Sequence, residues 1–206
     1  MKKIIFFGTM IALFTLAAAA TLDEVIAKTN ATYAGLNSFY TKFRQTMCDE
    51  AAGLCRIFDG EIYFLKPNFF RMTISDPQQV LVGDSASLWI YMPKEKRAIR
   101  QALAQMPFAI NPEIFLKDYD ERFNAALTRD EANSCEVTLS PKENTEIYSK
   151  ILIAISVPDY KITDISIVDQ GGGENKFEFD KTEINKKIDK KIFKFNPPKG
   201  TEIIDQ

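Results

Sequence analysis

The sequence predicts an α+β fold: an incomplete, half-open antiparallel β-barrel of about ten or eleven strands, with an N-terminal helix and a central helical lid over an apolar cavity. Three observations predict it. Apolar residues recur at helical spacing between residues 22 and 36, and from Ser38 the period changes to two, with turn residues cutting the chain into short runs. One strongly apolar, proline-punctuated stretch, residues 101–119, interrupts those runs. A sheet of this many strands tends to curl. Its concave face must then be filled by side chains, covered by helices or used for a ligand.

The first twenty residues stand apart from this fold. Met1-Lys2-Lys3 is a positive n-region, residues 4–16 are an apolar run, and Ala17 to Ala20 supply small residues for cleavage. The run is shorter than the roughly 20 residues of a membrane span. Residues 1–20 therefore read as a cleavable signal peptide, cut after Ala20, with residues 21–206 as a single domain. The next residue is Thr21 and not a cysteine, so no lipid anchor is expected there.

Leu22, Val25, Ile26, Thr29, Tyr33 and Leu36 mark one face of the first helix, with Gly35 near its stop. In the first strand Phe39, Thr41, Phe43 and Gln45 share a face, and Tyr40, Lys42 and Arg44 lie opposite. Further strands are expected at residues 56–66, 69–74, 79–82, 88–91 and 97–100, separated by Pro67-Asn68, Asp76-Pro77, Gly83-Asp84-Ser85 and Pro93-Lys94. Asn111-Pro112-Glu113 then reads as a helix start, Asn as cap and Pro at the first position. Strands resume at residues 123–128, 135–140, 147–157, 162–168, 176–180 and 192–195. Gly171-Gly172-Gly173 lacks the spacing and the strand-to-helix setting of a phosphate loop and reads as a turn.

Composition narrows the function classes. Without residues 1–20 the chain has 24 basic and 28 acidic side chains, a net of −4 with no basic block. Such a chain is a poor candidate for nucleic acid, or for holding to an anionic membrane by charge alone. There is no histidine, which removes Ser-His-Asp and Cys-His catalysis and His-rich zinc sites. No carboxylate pair stands in an apolar setting that would separate two pKa values. The chain reads as a non-enzyme, without metal or cofactor. Sixteen phenylalanines beside one tryptophan give it a large apolar volume to hide or to use. Cys48 and Cys55 flank a polar hairpin tip, where a disulfide would tie two strands together; two separate thiols are the alternative. Cys135 is expected to be a buried free thiol.

Several segments resemble one known family. Ser38-Phe39 followed by Phe43 and Gln45 is similar to its first strand, and Lys66-Pro67-Asn68-Phe69-Phe70-Arg71 to its Lys/Arg-Pro segment. Val82-Gly83-Asp84 leading to Leu88-Trp89-Ile90-Tyr91-Met92-Pro93, and Phe193-Lys194-Phe195-Asn196-Pro197-Pro198-Lys199-Gly200 before Asp205-Gln206, complete the pattern. Their order and spacing resemble the periplasmic outer-membrane lipoprotein carriers. The resemblance implies a soluble, monomeric periplasmic chaperone. It would take acylated lipoproteins from an inner-membrane transporter complex and pass them to an outer-membrane lipoprotein receptor. Thr21 favours the soluble carrier over the lipid-anchored receptor of similar fold. The alternative is a periplasmic amphiphile-binding sensor or structural module on the same fold.

The expected acyl-chain lining is Phe39, Phe43, Ile62, Phe64, Phe70, Met72, Leu88 and Ile90 from the strands, with Leu103, Met106, Phe108, Ile114 and Phe115 from the lid. Each is equally readable as a core residue. Phe and Met suit the role because their contacts are non-directional and tolerate different chains. Many family members carry arginine before the proline of the second hairpin, as a latch to the lid. Lys66 takes that place here, a flexible point charge without the planar fork. Phe69 and Phe70 point to opposite faces, so one of them is a candidate for docking a partner. Trp89 reads as a packing anchor.

Overall fold

The computed structural model describes residues 20–84, 86–103, 116–143 and 147–206. The expected signal peptide, apart from Ala20, and lid residues 104–115 lie outside them.

Helix α1 (Leu22–Ala34) starts where the Thr21 hydroxyl accepts from the Glu24 amide at 3.3 Å. Asp23 and Glu24 place negative charge in its first turn, where the helix dipole favours it. Val25, Ile26, Thr29 and Tyr33 are its buried face. The Tyr33 hydroxyl accepts from the buried Ile162 amide at 3.0 Å, pinning the helix to the sheet with no polar group left stranded.

The strands are β1 (Ser38–Asp49), β2 (Leu54–Leu65), β3 (Phe69–Ile74), β4 (Gln79–Asp84), β5 (Ser87–Met92), β6 (Arg97–Ala102), β7 (Phe123–Glu131), β8 (Ser134–Pro141), β9 (Tyr148–Ser156), β10 (Ile162–Asp169), β11 (Glu174–Ile184) and β12 (Glu202–Asp205). All lie in one open sheet, ordered β12-β6-β5-β4-β3-β2-β1-β11-β10-β9-β8-β7. Two meanders therefore meet at β1 and β11, where Phe43 pairs with Phe179 and Gln45 with Phe177. β12 and β7 form the edges, so the sheet does not close.

The open, mostly antiparallel sheet agrees with the expected class, but its C-terminal end differs. Residues 192–195 are not a strand. A 3-10 turn runs over Lys190–Phe193, started by the Asp189 carboxylate accepting from the Lys191 amide at 2.9 Å. The alternation is real, but it serves side-chain packing instead of a ladder. Phe193 lies on Phe69 and Phe195 on Trp89 and Tyr91, with ring centroids 5.8, 5.3 and 5.3 Å apart. The last strand comes later, as β12 runs parallel to β6 and is flanked by Arg97–Glu202 and Arg100–Asp205 ion pairs.

Strand alternation sorts the side chains into two layers. The inner face carries the main core, from Phe39, Phe43 and Ile62 through Ile151, Ile153, Ile155 and Ile165, with α1 packed on it. Each fully buried Ile or Phe contributes roughly 2 kcal/mol of transfer free energy. Val80, Val82, Ala98 and Phe193 are also buried, but belong to a smaller outer layer beneath the C-terminal segment.

Candidate functional site

The inner face is built by register. Phe39 faces Phe64, Thr41 faces Ile62, Phe43 faces Gly60 and Gln45 faces Phe58 across β1 and β2. Ile62 and Phe64 continue to Met72 and Phe70 on β3, and Met72 to Leu81 and Ile90 on β4 and β5. On the other side of β1, Phe177 continues to Ile165 on β10, Ile153 on β9 and Val137 on β8. The result is one continuous apolar surface.

Two glycines let large rings lie flat on it. A Cβ on Gly83 would sit 2.3 Å from the Phe70 ring, and one on Gly60 would sit 2.5 Å from the Phe43 ring and 2.2 Å from the Thr73 carbonyl oxygen. Each ring occupies the space a side chain across the ladder would have taken.

Burial is uneven along this surface. Toward the β1–β2 tip it opens to water: Met47 is 44% exposed, and Phe58, Ile74 and Ile167 are half-buried; farther along the register Leu81, Ile90 and Phe179 are half-buried too. Two hollows of about 420 and 340 Å³ lie at the tip and share Met47, Arg56 and Phe58. Both sizes fall within the roughly 300–1,000 Å³ of small-molecule sites. The first extends to Leu54, Ile167 and Asn175, the second to Ile74, Pro77 and Gln79. Gln45 and Asn175 satisfy one another at 2.9 Å, which keeps this polar pair from spoiling the apolar strip.

The nine expected lining residues that are described all lie on the inner face. Phe39, Phe43, Ile62, Phe64, Phe70, Met72 and Leu88 are buried in the core cluster, and Ile90 and Leu103 pack against it half-buried. Met106, Phe108, Ile114 and Phe115 lie outside the described residues. Phe70 has no exposed surface, whereas Phe69 sits half-buried on the outer face between Phe193 and the Lys190 ammonium. Lys66 follows β2 with an exposed side chain, and its amide donates to the Asn37 carbonyl at 2.8 Å. Cys48 and Cys55 face one another in the ladder and are joined by a disulfide. Trp89 packs on Phe195 and under Arg100.

Cys135 is a buried free thiol on the inner face. Burial, then the charge of Asp130, pushes its pKa up. The neutral thiol therefore stabilises the fold fully below the ordinary thiol pKa, and that contribution is lost as pH rises through the raised value. Iodoacetamide at neutral pH is expected to leave Cys135 unlabelled until urea unfolds the chain, as read by mass spectrometry. Labelling of the folded protein at the unfolded rate would contradict this burial.

The sequence reading missed the far half of the surface: Val137, Leu139, Ile151, Ile153, Ile155, Ile165 and Phe177 are all buried there. The alternation of Ile151, Ile153 and Ile155 was the available signal. Phe58 reads on one side of its strand with Ile62 and Phe64 but stands outside the expected lining.

Comparison with known proteins names this architecture. The family model for outer membrane lipoprotein carrier protein LolA matches residues 34–196. The chain belongs to this family. Among relatives, the outer-membrane lipoprotein carrier protein of Aliivibrio salmonicida is 30% identical over 173 residues, covering 82% of this chain and 83% of the relative. That of Photobacterium profundum is 29% identical over 177 residues, covering 83% and 84%. In fold, the chain is similar to an uncharacterized conserved protein from Thermus thermophilus, with a TM-score of 0.57 at 8% identity, over 89% of this chain and 98% of that one. The LolA family is one of carriers and not of enzymes. Two segments that carried the resemblance have structural work in this member: Gly83 admits Phe70, and Phe193 and Phe195 seal the outer layer. Among the described residues no helix is long and apolar enough to cross a membrane.

Proposed function

We propose that this chain is a periplasmic chaperone that holds the acyl chains of lipoproteins against its inner face. It takes them from an inner-membrane transporter complex and passes them to an outer-membrane receptor, acting as a monomer behind a signal peptide cut after Ala20. The observation that carries the reading is the continuous apolar inner face, open to water at Met47 and Phe58, in a chain of the lipoprotein carrier family. An acyl chain left in water costs about 0.8 kcal/mol per methylene, so a carrier must cover much of it and still release it. A partly open groove meets both demands, where a sealed core would not.

The proposed lid is the segment between Leu103 and Leu116. Both of these residues pack on the inner-face core, and they flank the segment that carries Met106, Phe108, Ile114 and Phe115. Lys66 is proposed as its latch, looser than the arginine of many family members. Lys66→Arg is then expected to slow cargo release; equal release and equal lid mobility in both proteins would sink the latch.

The function itself is tested by offering the purified protein one lipoprotein in acylated and unacylated forms. Binding of the acylated form alone supports a carrier. Equal binding of both, or a groove consistently filled by glycolipid, contradicts it and favours an amphiphile-binding module.

A further inference from the structure

The outer face carries a second feature, with a charge opposite to the rest of the chain. Residues 181–199 hold seven lysines and two acids, Glu183 and Asp189, a net of +5. The whole chain is −2, so the remaining residues carry −7. The expectation of no basic block is corrected here. The lysines are spaced among Ile, Asn, Phe and Pro, so no unbroken run stands out, and the net charge conceals them.

The fold lays this segment across the outer face as a strap. The Ser38 hydroxyl donates to the Lys186 carbonyl at 2.6 Å, and Arg71 donates to the Ile192 carbonyl at 3.2 Å. Phe193 is 1% exposed and Phe195 half-buried, so the aromatic side chains of the strap are turned toward the sheet. Of its lysines, Lys181, Lys187, Lys190, Lys191, Lys194 and Lys199 are exposed, with Asp189 exposed among them. Lys186 is neutralised by Glu183 at 2.7 Å, but none of those six lysines forms an ion pair among the described residues.

The kind of partner follows from the residue types. Protein interfaces are anchored by exposed aromatics, Met and Arg, and are depleted in Lys. The strap has no arginine, and its phenylalanines are spent on holding it down. Exposed lysines without an ion-pair partner match a diffuse negative surface, where each one is worth about fivefold in partition. We propose that the strap is a docking ridge for anionic phospholipid headgroups. The ridge and the apolar groove lie on opposite faces of the sheet, so a membrane-docked molecule keeps its groove unobstructed.

Co-sedimentation with vesicles tests this with no lipoprotein present, so its outcome is independent of cargo binding. The full-length processed protein is expected to bind phosphatidylglycerol/phosphatidylcholine vesicles and not phosphatidylcholine alone, and to release as salt screens the charge. The triple change Lys190→Gln, Lys191→Gln and Lys194→Gln is expected to weaken binding by about a hundredfold. The corresponding arginine triple should retain it, which separates lost charge from lost fold. Equal partition onto both vesicle types, or a glutamine triple that binds like the wild type, overturns the proposal. A wild type that ignores both vesicles also overturns it, and would point to an acidic protein surface instead.

Discussion

Gly60→Ala is expected to destabilise the protein by about 3 kcal/mol or more, at the upper end of overpacking costs. The added methyl would lie 2.2 Å from the Thr73 carbonyl oxygen and 2.5 Å from the Phe43 ring. The first is backbone in a ladder and the second is 3% exposed, so neither can step aside. Domains are stable by only about 5–15 kcal/mol, so the loss is a large share of the total. Gly83→Ala differs in kind, because its nearest atoms all belong to the Phe70 ring. Phe70→Leu should therefore recover part of the Gly83→Ala cost, while Phe43→Leu should recover little at Gly60, where the carbonyl remains. Urea unfolding of the two double-mutant cycles reads the difference. Equal rescue at both glycines would mean that the sheet backbone shifts to admit the methyl.

Phe58→Asp is expected to lower affinity for acylated lipoprotein by at least about tenfold, from the roughly 2 kcal/mol that a contacting aromatic contributes. Phe58 is half-buried at the junction of both hollows, so the fold should tolerate the change. Ile57 is the matched control. It is the neighbouring residue, 61% exposed, and strand alternation turns it to the outer face. Ile57→Asp adds the same charge beside the same strand and should leave binding unchanged in a fluorescent-lipopeptide titration. Equal losses from the two substitutions would place the effect in net charge and not in the groove.

Strand alternation makes much of this face legible in the amino-acid sequence. Phe39, Phe43, Ile62, Phe64, Phe70, Met72 and Leu88 are grouped by period alone, and they meet on one face. What period cannot give is which strand neighbours which. The pairing of β1 with β11 joins Phe43 to Phe179 from the far end of the chain, and only that pairing makes the two meanders one surface. The bulge between Tyr40 and Lys42 is equally silent, since it depends on both strands. At the C-terminus, Phe193 and Phe195 announce a buried face correctly. The backbone makes a 3-10 turn over Lys190–Phe193 because Asp189 offers a local cap, a choice that apolar spacing does not record. The basic strap escapes for a related reason: its lysines become a ridge only when Phe193 and Phe195 fix which side faces out.

The proposed function places acyl chains on the inner face, and site-directed photo-crosslinking reads that placement most directly. A photoreactive residue would replace Phe58 or Ile90 on the inner face, and Arg44 or Lys176 on the outer face, before loading with acylated lipoprotein. Adducts to the acyl chains from Phe58 and Ile90, and none from Arg44 and Lys176, are the predicted result. Acyl-chain adducts from the outer positions at equal yield would contradict it.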